Sequence, residues 1–407
     1  MGSQKSGLNK VIYLVLVNLF IVFLGIGLII PVMPTLMREM SLEGSTMGYL
    51  VAAFAFAQLL VSPIAGRWVD SIGRKKMIVI GMFIFGASEM LFGLGQDVKV
   101  LYMSRILGGI SAAFIMPAVT AFVADVTTLR ERPKAMGYVA AAISAGFIIG
   151  PGIGGFLAEH GTRLPFFVAA GLGLLGGVFS LIILKEPERA HIESEGEPVK
   201  PRFRKVLEPI YLIPMIIILV SSFGLAAFET VYSLFVDHKY GFTPKDIALI
   251  ITVSGVLGII FQVLTFDRIV GKIGEIRLIQ ICIGVSTIFI FAMIKVSAYW
   301  SILLVTFVIF LLFDLMRPAL TTYLSKIAGN DQGFVGGLNS TFTSIGNIIG
   351  PSIAGILFDV HIDYPYVLAM VILAISFVIS LFWKKQKPVF KETAEYQGTN
   401  YELTRFL

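Results

Sequence analysis

Eight stretches of this sequence, each at least 17 residues long, contain no Asp, Glu, Lys or Arg. They are Val11–Met37, Gly44–Gly66, Ala135–Ala158, Leu164–Leu184, Ile247–Phe266, Leu278–Ile294, Gln332–Phe358 and Tyr364–Trp383. Four more, Met77–Gln96, Val100–Ala124, Pro209–Val236 and Val296–Ser325, are as apolar but carry one or two charges. A helix crosses the hydrocarbon core of a bilayer with roughly 20 apolar residues. Barrel strands are excluded, because they are about 10 residues long and alternate in polarity. Only 14% of residues are charged and 56% are hydrophobic, whereas soluble domains carry about 25% charge. The chain is therefore expected to be an all-α membrane protein with twelve transmembrane helices.

The net charge of +6 is a topology signal and not a nucleic-acid signal. With the first residues placed in the cytoplasm, 24 of the 32 Lys and Arg fall on the cytoplasmic side and 6 on the outer side. Arg105 and Arg317 lie within spans. This asymmetry follows the positive-inside rule and predicts both termini in the cytoplasm. The first span is longer than a signal-peptide core and lacks a small-residue cleavage site, so it reads as a retained helix. Cys282 is the single cysteine, which excludes an internal disulfide. His160, His191, His238 and His361 fall in loops or at span ends. No metal site, cofactor site or nucleophile–base pair is evident, and an enzyme is not expected.

The longest hydrophilic stretch between spans is 185–206, rich in Glu, Lys, Arg and Pro. Such composition suits a solvated linker. It divides the chain into six-helix bundles at 1–184 and 207–385, with a cytoplasmic tail at 386–407. The halves are related. Gly150-Pro151 recurs as Gly350-Pro351, Gly155 as Gly355, Glu159 as Asp359 and Pro165 as Pro365, all 200 residues on. Parallel repeats related by an axis along the membrane normal belong to transporters in which one half rocks against the other around a midplane site.

Three strings carry more than hydropathy. The loop after the second span reads Gly66-Arg67-Trp68-Val69-Asp70-Ser71-Ile72-Gly73-Arg74-Lys75-Lys76. Glycine permits its tight turn, Asp70 can cap or pair, and the cations hold it at the cytoplasmic face. The fourth span begins Leu101-Tyr102-Met103-Ser104-Arg105-Ile106-Leu107-Gly108-Gly109. A charge at that depth should face the protein interior or water. The fifth span holds Gly146, Gly150, Pro151, Gly154 and Gly155. Gly146, Gly150 and Gly154 form one smooth stripe that lets helices approach closely, and Pro151 can bend the helix.

Five charges lie inside spans: Glu89, Arg105, Glu229, Asp314 and Arg317. A carboxylate withdrawn from water can carry a proton across the membrane. Glu229 and Asp314 are the preferred carriers. An i,i+3 pair between Asp314 and Arg317 is the alternative reading. Glu89 is the weakest candidate, since its place near an outer helix end also suits a solvent-facing residue. Aromatic faces attract lipophilic cations. Phe23, Phe147, Phe228, Tyr232 and Phe310, with the polar Asn18, Gln58, Asn339 and Asn347 and with Arg317, are the expected cavity residues.

The loop string resembles the G-x-x-x-D-x-x-G-R-K signature of the major facilitator superfamily. The fourth span resembles that superfamily's S-R-x-x-x-G element, whose arginine is linked to proton transfer. The fifth resembles the antiporter signature of its drug–proton exporters. Over about residues 11–385 the chain is similar to the bacterial twelve-helix drug:proton antiporters, especially the Gram-positive fluoroquinolone and multidrug exporters. Phe23-Leu24-Gly25-Ile26-Gly27-Leu28-Ile29-Ile30-Pro31, Phe228-Glu229 and Leu338-Asn339-Ser340-Thr341-Phe342-Thr343-Ser344 carry that likeness. It implies the major facilitator fold, Glu229 and Asp314 as the proton-coupling pair, and a cavity lined by Phe23, Arg105, Phe147, Arg317 and Asn347. Ser144 departs from members with Asn there. The second half degrades the loop signature to Asp267–Gly274, so a single basic gate is expected. The expectation is proton-coupled multidrug efflux by a monomer in the bacterial cell membrane, with drugs, protons and lipid as its partners. A metabolite exporter, for instance for polyamines, is the alternative.

Overall fold

The computed structural model describes residues 3–128, 131–187, 209–328 and 332–383. The tail at 386–407 and all but the start of the 185–206 linker lie outside these. The described residues form twelve helices and no strand. They are α1 (Ser3–Glu39), α2 (Gly44–Ile72), α3 (Arg74–Leu94), α4 (Val98–Asp125), α5 (Arg132–Ala158), α6 (Leu164–Ile183), α7 (Pro209–Tyr240), α8 (Pro244–Ile273), α9 (Glu275–Lys295), α10 (Tyr299–Ala328), α11 (Gln332–Val360) and α12 (Tyr364–Leu381). Each is long and apolar enough to cross a membrane, as the charge-free runs predict.

The repeat is visible in the backbone. α2 and α3 are joined by Gly73 alone, and α8 and α9 by Gly274 alone. Both glycines have positive φ, 114° and 81°, which allows so sharp a reversal. In each half the glycine-rich helix packs on the first helix. A Cβ on Gly150 would sit 2.6 Å from the Leu24 carbonyl oxygen of α1. A Cβ on Gly350 would sit 2.6 Å from the Phe223 carbonyl oxygen of α7. Gly154 continues the α5 stripe, its Cβ position 2.4 Å from the Leu28 carbonyl oxygen. Gly150→Leu or Gly350→Leu must therefore push two backbones apart. Overpacking of this kind costs about 1–3 kcal/mol. The expected result is a lower thermal midpoint in detergent for either variant; an unchanged midpoint would show that the close crossing is dispensable.

α1–α6 pack mainly among themselves, as do α7–α12, and the two groups meet through α2 with α11 and α5 with α8. Among the described residues the meeting is confined to one end, that of the α1–α2 and α7–α8 turns. Gly44 and Gly48 of α2 lie against Phe358, Pro351 and Gly355 of α11. Gly155 of α5 lies against Pro244 and Ala248 of α8. The amides of Gly44 and Ser45 donate to the Asp359 carboxylate at 2.6 and 2.8 Å. At the repeat-related position, Glu159 pairs with Lys245 at 3.1 Å. Arg38 pairs with Asp237 beside them. The Thr252 hydroxyl donates to the Ile148 carbonyl at 3.1 Å, within three turns of the same end.

The buried apolar side chains tell the same story. One cluster runs through the second half and takes in only this end of the first, including Val32, Leu36, Met47, Phe92, Leu101 and Phe166. A second cluster, including Leu19, Val69, Met82, Phe122 and Leu184, belongs to the first half alone. Among the described residues the halves thus share a core at one end and part at the other, leaving a crevice between them at the end of the Gly73 and Gly274 turns.

Candidate transport site

The second half brings Glu229 of α7 together with Asp314 and Arg317 of α10. Phe310, Asp314 and Arg317 recur at i, i+4 and i+7, one face of a helix. Glu229 follows Phe228, whose ring lies 5.7 Å from Phe310. Glu229 and Asp314 are half-buried and Arg317 is exposed. The charges of Arg317 and Asp314 both reach Glu229, and that of Arg317 reaches Asp314. No two of the three form an ion pair within 4 Å. The i,i+3 pairing of Asp314 with Arg317 is therefore not formed in this conformation. Gly258 of α8 leaves room for Asp314, its Cβ position lying 3.1 Å from Oδ2. The cluster has two carboxylates and one guanidinium, a formal charge of −1.

Aromatic rings flank it. Phe228 also contacts Tyr232 and Tyr366, with centroids 5.4 and 5.7 Å away. Tyr232 hydrogen bonds with Thr306 at 3.2 Å. Phe228 and Tyr232 are buried behind the half-buried Phe310, so in this conformation Phe310 is the ring of the three nearest the crevice. In the first half Phe23 and Phe147 pair at 5.0 Å, with Phe23 buried and Phe147 39% exposed. Gln58 and Asn339 are half-buried and Asn347 is exposed. Asn18 is fully buried and donates to Ser180 of α6 at 2.6 Å. Its side chain serves α1–α6 packing here.

Glu89 does not face solvent. It is 2% exposed and pairs with Arg105, itself 6% exposed, at 3.3 Å between Oε1 and Nη2. The Arg105 guanidinium lies 4.3 Å from the Phe92 ring centroid. α3 and α4 are held in register beside it by reciprocal bonds, Ser88 hydroxyl to Ser104 carbonyl and Ser104 hydroxyl to Ser88 carbonyl, both 2.8 Å. Glu89 turns toward α4 because an unpaired charge inside a bundle is costly.

The loop signature forms a knot that sequence spacing does not reveal. Arg74 is buried, with Nη2 3.1 Å from Asp70 and Nε 2.8 Å from Asp125 of α4. The Asp125 approach is an ion pair without hydrogen-bond alignment. Arg74 Nη1 donates to the Val69 carbonyl at 3.1 Å. The Glu186 carboxylate accepts the amides of Arg74 and Lys75 at 2.5 and 3.0 Å, capping the first turn of α3. Gly73 makes room, since a Cβ there would meet Glu186 at 2.7 Å. Asp125 and Glu186 are therefore partners of this loop that the motif alone does not name. A Cβ on Gly66 meets nothing within 4 Å.

The family model described as the Major Facilitator Superfamily matches residues 15–263 and 214–399. The Multidrug resistance protein 1 of Bacillus subtilis (strain 168) is 57% identical over 376 residues, 92% of this chain and 97% of that protein. The Quinolone resistance protein NorA of Staphylococcus aureus is 43% identical over 386 residues, 95% of this chain and 99% of that protein. Among solved structures, a bacterial homologue of the human lysosomal transporter Spinster, inward-facing and unoccupied, superposes with a TM-score of 0.78 at 15% identity. That alignment covers 92% of this chain and 97% of the other, and at such identity it bears on the fold alone.

Proposed function

Because the chain belongs to the Major Facilitator Superfamily, we propose that this multi-pass membrane transporter exports lipophilic, mainly cationic drugs in exchange for protons. Its relatives are named for multidrug and quinolone resistance. The observation that carries the reading is the unpaired −1 cluster of Glu229, Asp314 and Arg317 beside the Phe310 ring. A monovalent cation and one proton can each neutralise that charge, so they compete. The ring attracts the apolar, cationic body of the drug. A polyamine carries several positive charges, which a cluster of formal charge −1 matches less well.

The Lys and Arg asymmetry supports an orientation with both termini in the cytoplasm. In that orientation the closed end faces outward and the crevice opens to the cytoplasm, where the drug enters. Protonation of Glu229 or Asp314 from outside expels the cation, and release of the proton inside resets the site. Exchange of one monovalent cation for one proton moves no net charge, so the pH gradient and not the membrane potential drives it. At about 1.4 kcal/mol per tenfold, a pH difference of about one unit then supports a drug gradient of roughly tenfold.

The direct test is a substrate panel on proteoliposomes with an imposed pH gradient. Cationic dyes should move against the proton gradient and polyamines should compete poorly; the same drug flux with and without the gradient would refute the coupling. Alternating access has its own test. In a Cys282→Ser background, Ser45→Cys and Asp359→Cys place thiols on α2 and α11 at the closed end, where the Ser45 amide bonds Asp359 at 2.8 Å. A short cleavable cross-link between them should stop efflux until cleaved. Undiminished efflux by the linked protein would mean that this end need not open.

A further inference from the structure

The five charges within the spans are divided unequally. The second half holds Glu229, Asp314 and Arg317, a formal −1, and the first holds Glu89 and Arg105, a formal zero. The zero is built with care. Both partners are buried. Their contact is a single 3.3 Å approach, and Glu89 Oε2 and Arg105 Nε have no hydrogen-bond partner. The serine pair at Ser88 and Ser104 fixes the two helices at this level.

We infer that Glu89 is a specificity-determining residue: by pairing with Arg105 it keeps the first half neutral, so that the second half's single negative charge sets the preference for monovalent cations. It acts through Arg105 and is a positioning residue. The inference rests on the proposed reading of a cationic cargo.

The physical reason is range. α4 packs against α1 and α2, and these in turn meet α7; at about 10 Å per helix spacing the pair stands roughly 20 Å from the Glu229 cluster. At an effective dielectric of about 20, a bare unit charge at that distance changes the affinity for a monovalent cation by about fourfold. A paired charge is a short dipole whose field falls off much faster. With Arg105 bare, the total over the spans becomes zero and the cation loses its advantage over neutral molecules. With Glu89 bare, the total becomes −2 and the advantage grows.

The test uses purified full-length protein and two probes, a quaternary-ammonium dye and an uncharged dye of similar size. Binding is measured for Glu89→Gln, Arg105→Gln and the double variant. Glu89→Gln should weaken the cationic dye about fourfold relative to the uncharged one. Arg105→Gln should strengthen it by a similar factor, and the double variant should restore the wild-type ratio. The double variant leaves no bare charge, so it and Arg105→Gln decide the matter even if Glu89→Gln does not fold. If the variants change both dyes equally, the pair is structural only and the inference is overturned. Glu229→Gln separates this from failure of the underlying reading. If it shifts the dye ratio while the Glu89 and Arg105 variants do not, only the inference fails. If Glu229→Gln leaves the ratio at the wild-type value, the cationic reading itself fails.

Discussion

Glu229→Gln and Asp314→Asn are each expected to reduce pH-driven efflux of a cationic dye from vesicles by at least tenfold. Both substitutions keep the shape of the side chain and remove its charge and its capacity to release a proton. Either one takes the cluster from a formal −1 to zero, because Arg317 remains. The two carboxylates stand in partly buried surroundings, where Coulomb energies are several times those in bulk water. Glu229 feels both Asp314 and Arg317, so neither carboxylate acts alone. The double variant should lose little beyond the worse single variant, as residues acting as a unit are not additive. The pH dependence should go with the efflux: wild-type flux rises with the inward proton gradient, and the variants' residual flux does not follow it. If both single variants kept wild-type, gradient-dependent flux, the carriers would have to be sought elsewhere.

Arg74→Ala should destabilise the first half by about 3 kcal/mol, the cost of breaking a buried ion pair by removing one partner. The reason lies in what it leaves behind. The Asp125 side chain is only 11% exposed and loses its cation at 2.8 Å. The Val69 carbonyl loses its donor, and the α2–α3 turn loses the side chain that ties it to α4. Asp70 is far more exposed, at 73% of its side chain, so Asp70→Ala should cost less. Arg74→Lys should rescue only in part, since an ammonium lacks the planar fork that reaches Asp70, Asp125 and Val69 together. Thermal unfolding in detergent, followed for Arg74→Ala, Arg74→Lys and Asp70→Ala, orders the three. Equal midpoints for Arg74→Ala and wild type would show that the knot is a surface feature.

Much of the fold was legible because a bilayer imposes a one-dimensional rule. A run of about 20 apolar residues must span, whatever its neighbours are. The twelve helices and the repeat followed from local strings. The site was legible in part. Charges inside spans announce themselves by cost, which marked Glu89, Arg105, Glu229, Asp314 and Arg317 as candidates. Partners are another matter. Glu89 and Arg105 sit on different helices, and nothing in either string states how each helix is rotated about its axis. The same rotation sends Asn18 toward Ser180 and buries Phe228 and Tyr232 behind Phe310. Asp125 and Glu186 reach Arg74 from a helix end and from beyond α6, separations no motif spacing covers.

The sequence by itself determined how many helices are long and apolar enough to span, and which charges within them must be accounted for. These depend on transfer energies read residue by residue. Tertiary structure alone decided which charges cancel and which stand free, and which end of the molecule is closed. Those outcomes depend on helix rotation and on contacts between halves such as Asp359 with the first amides of α2. A packed interface of that kind can form at either end of the same two bundles, so the string of residues does not choose between them.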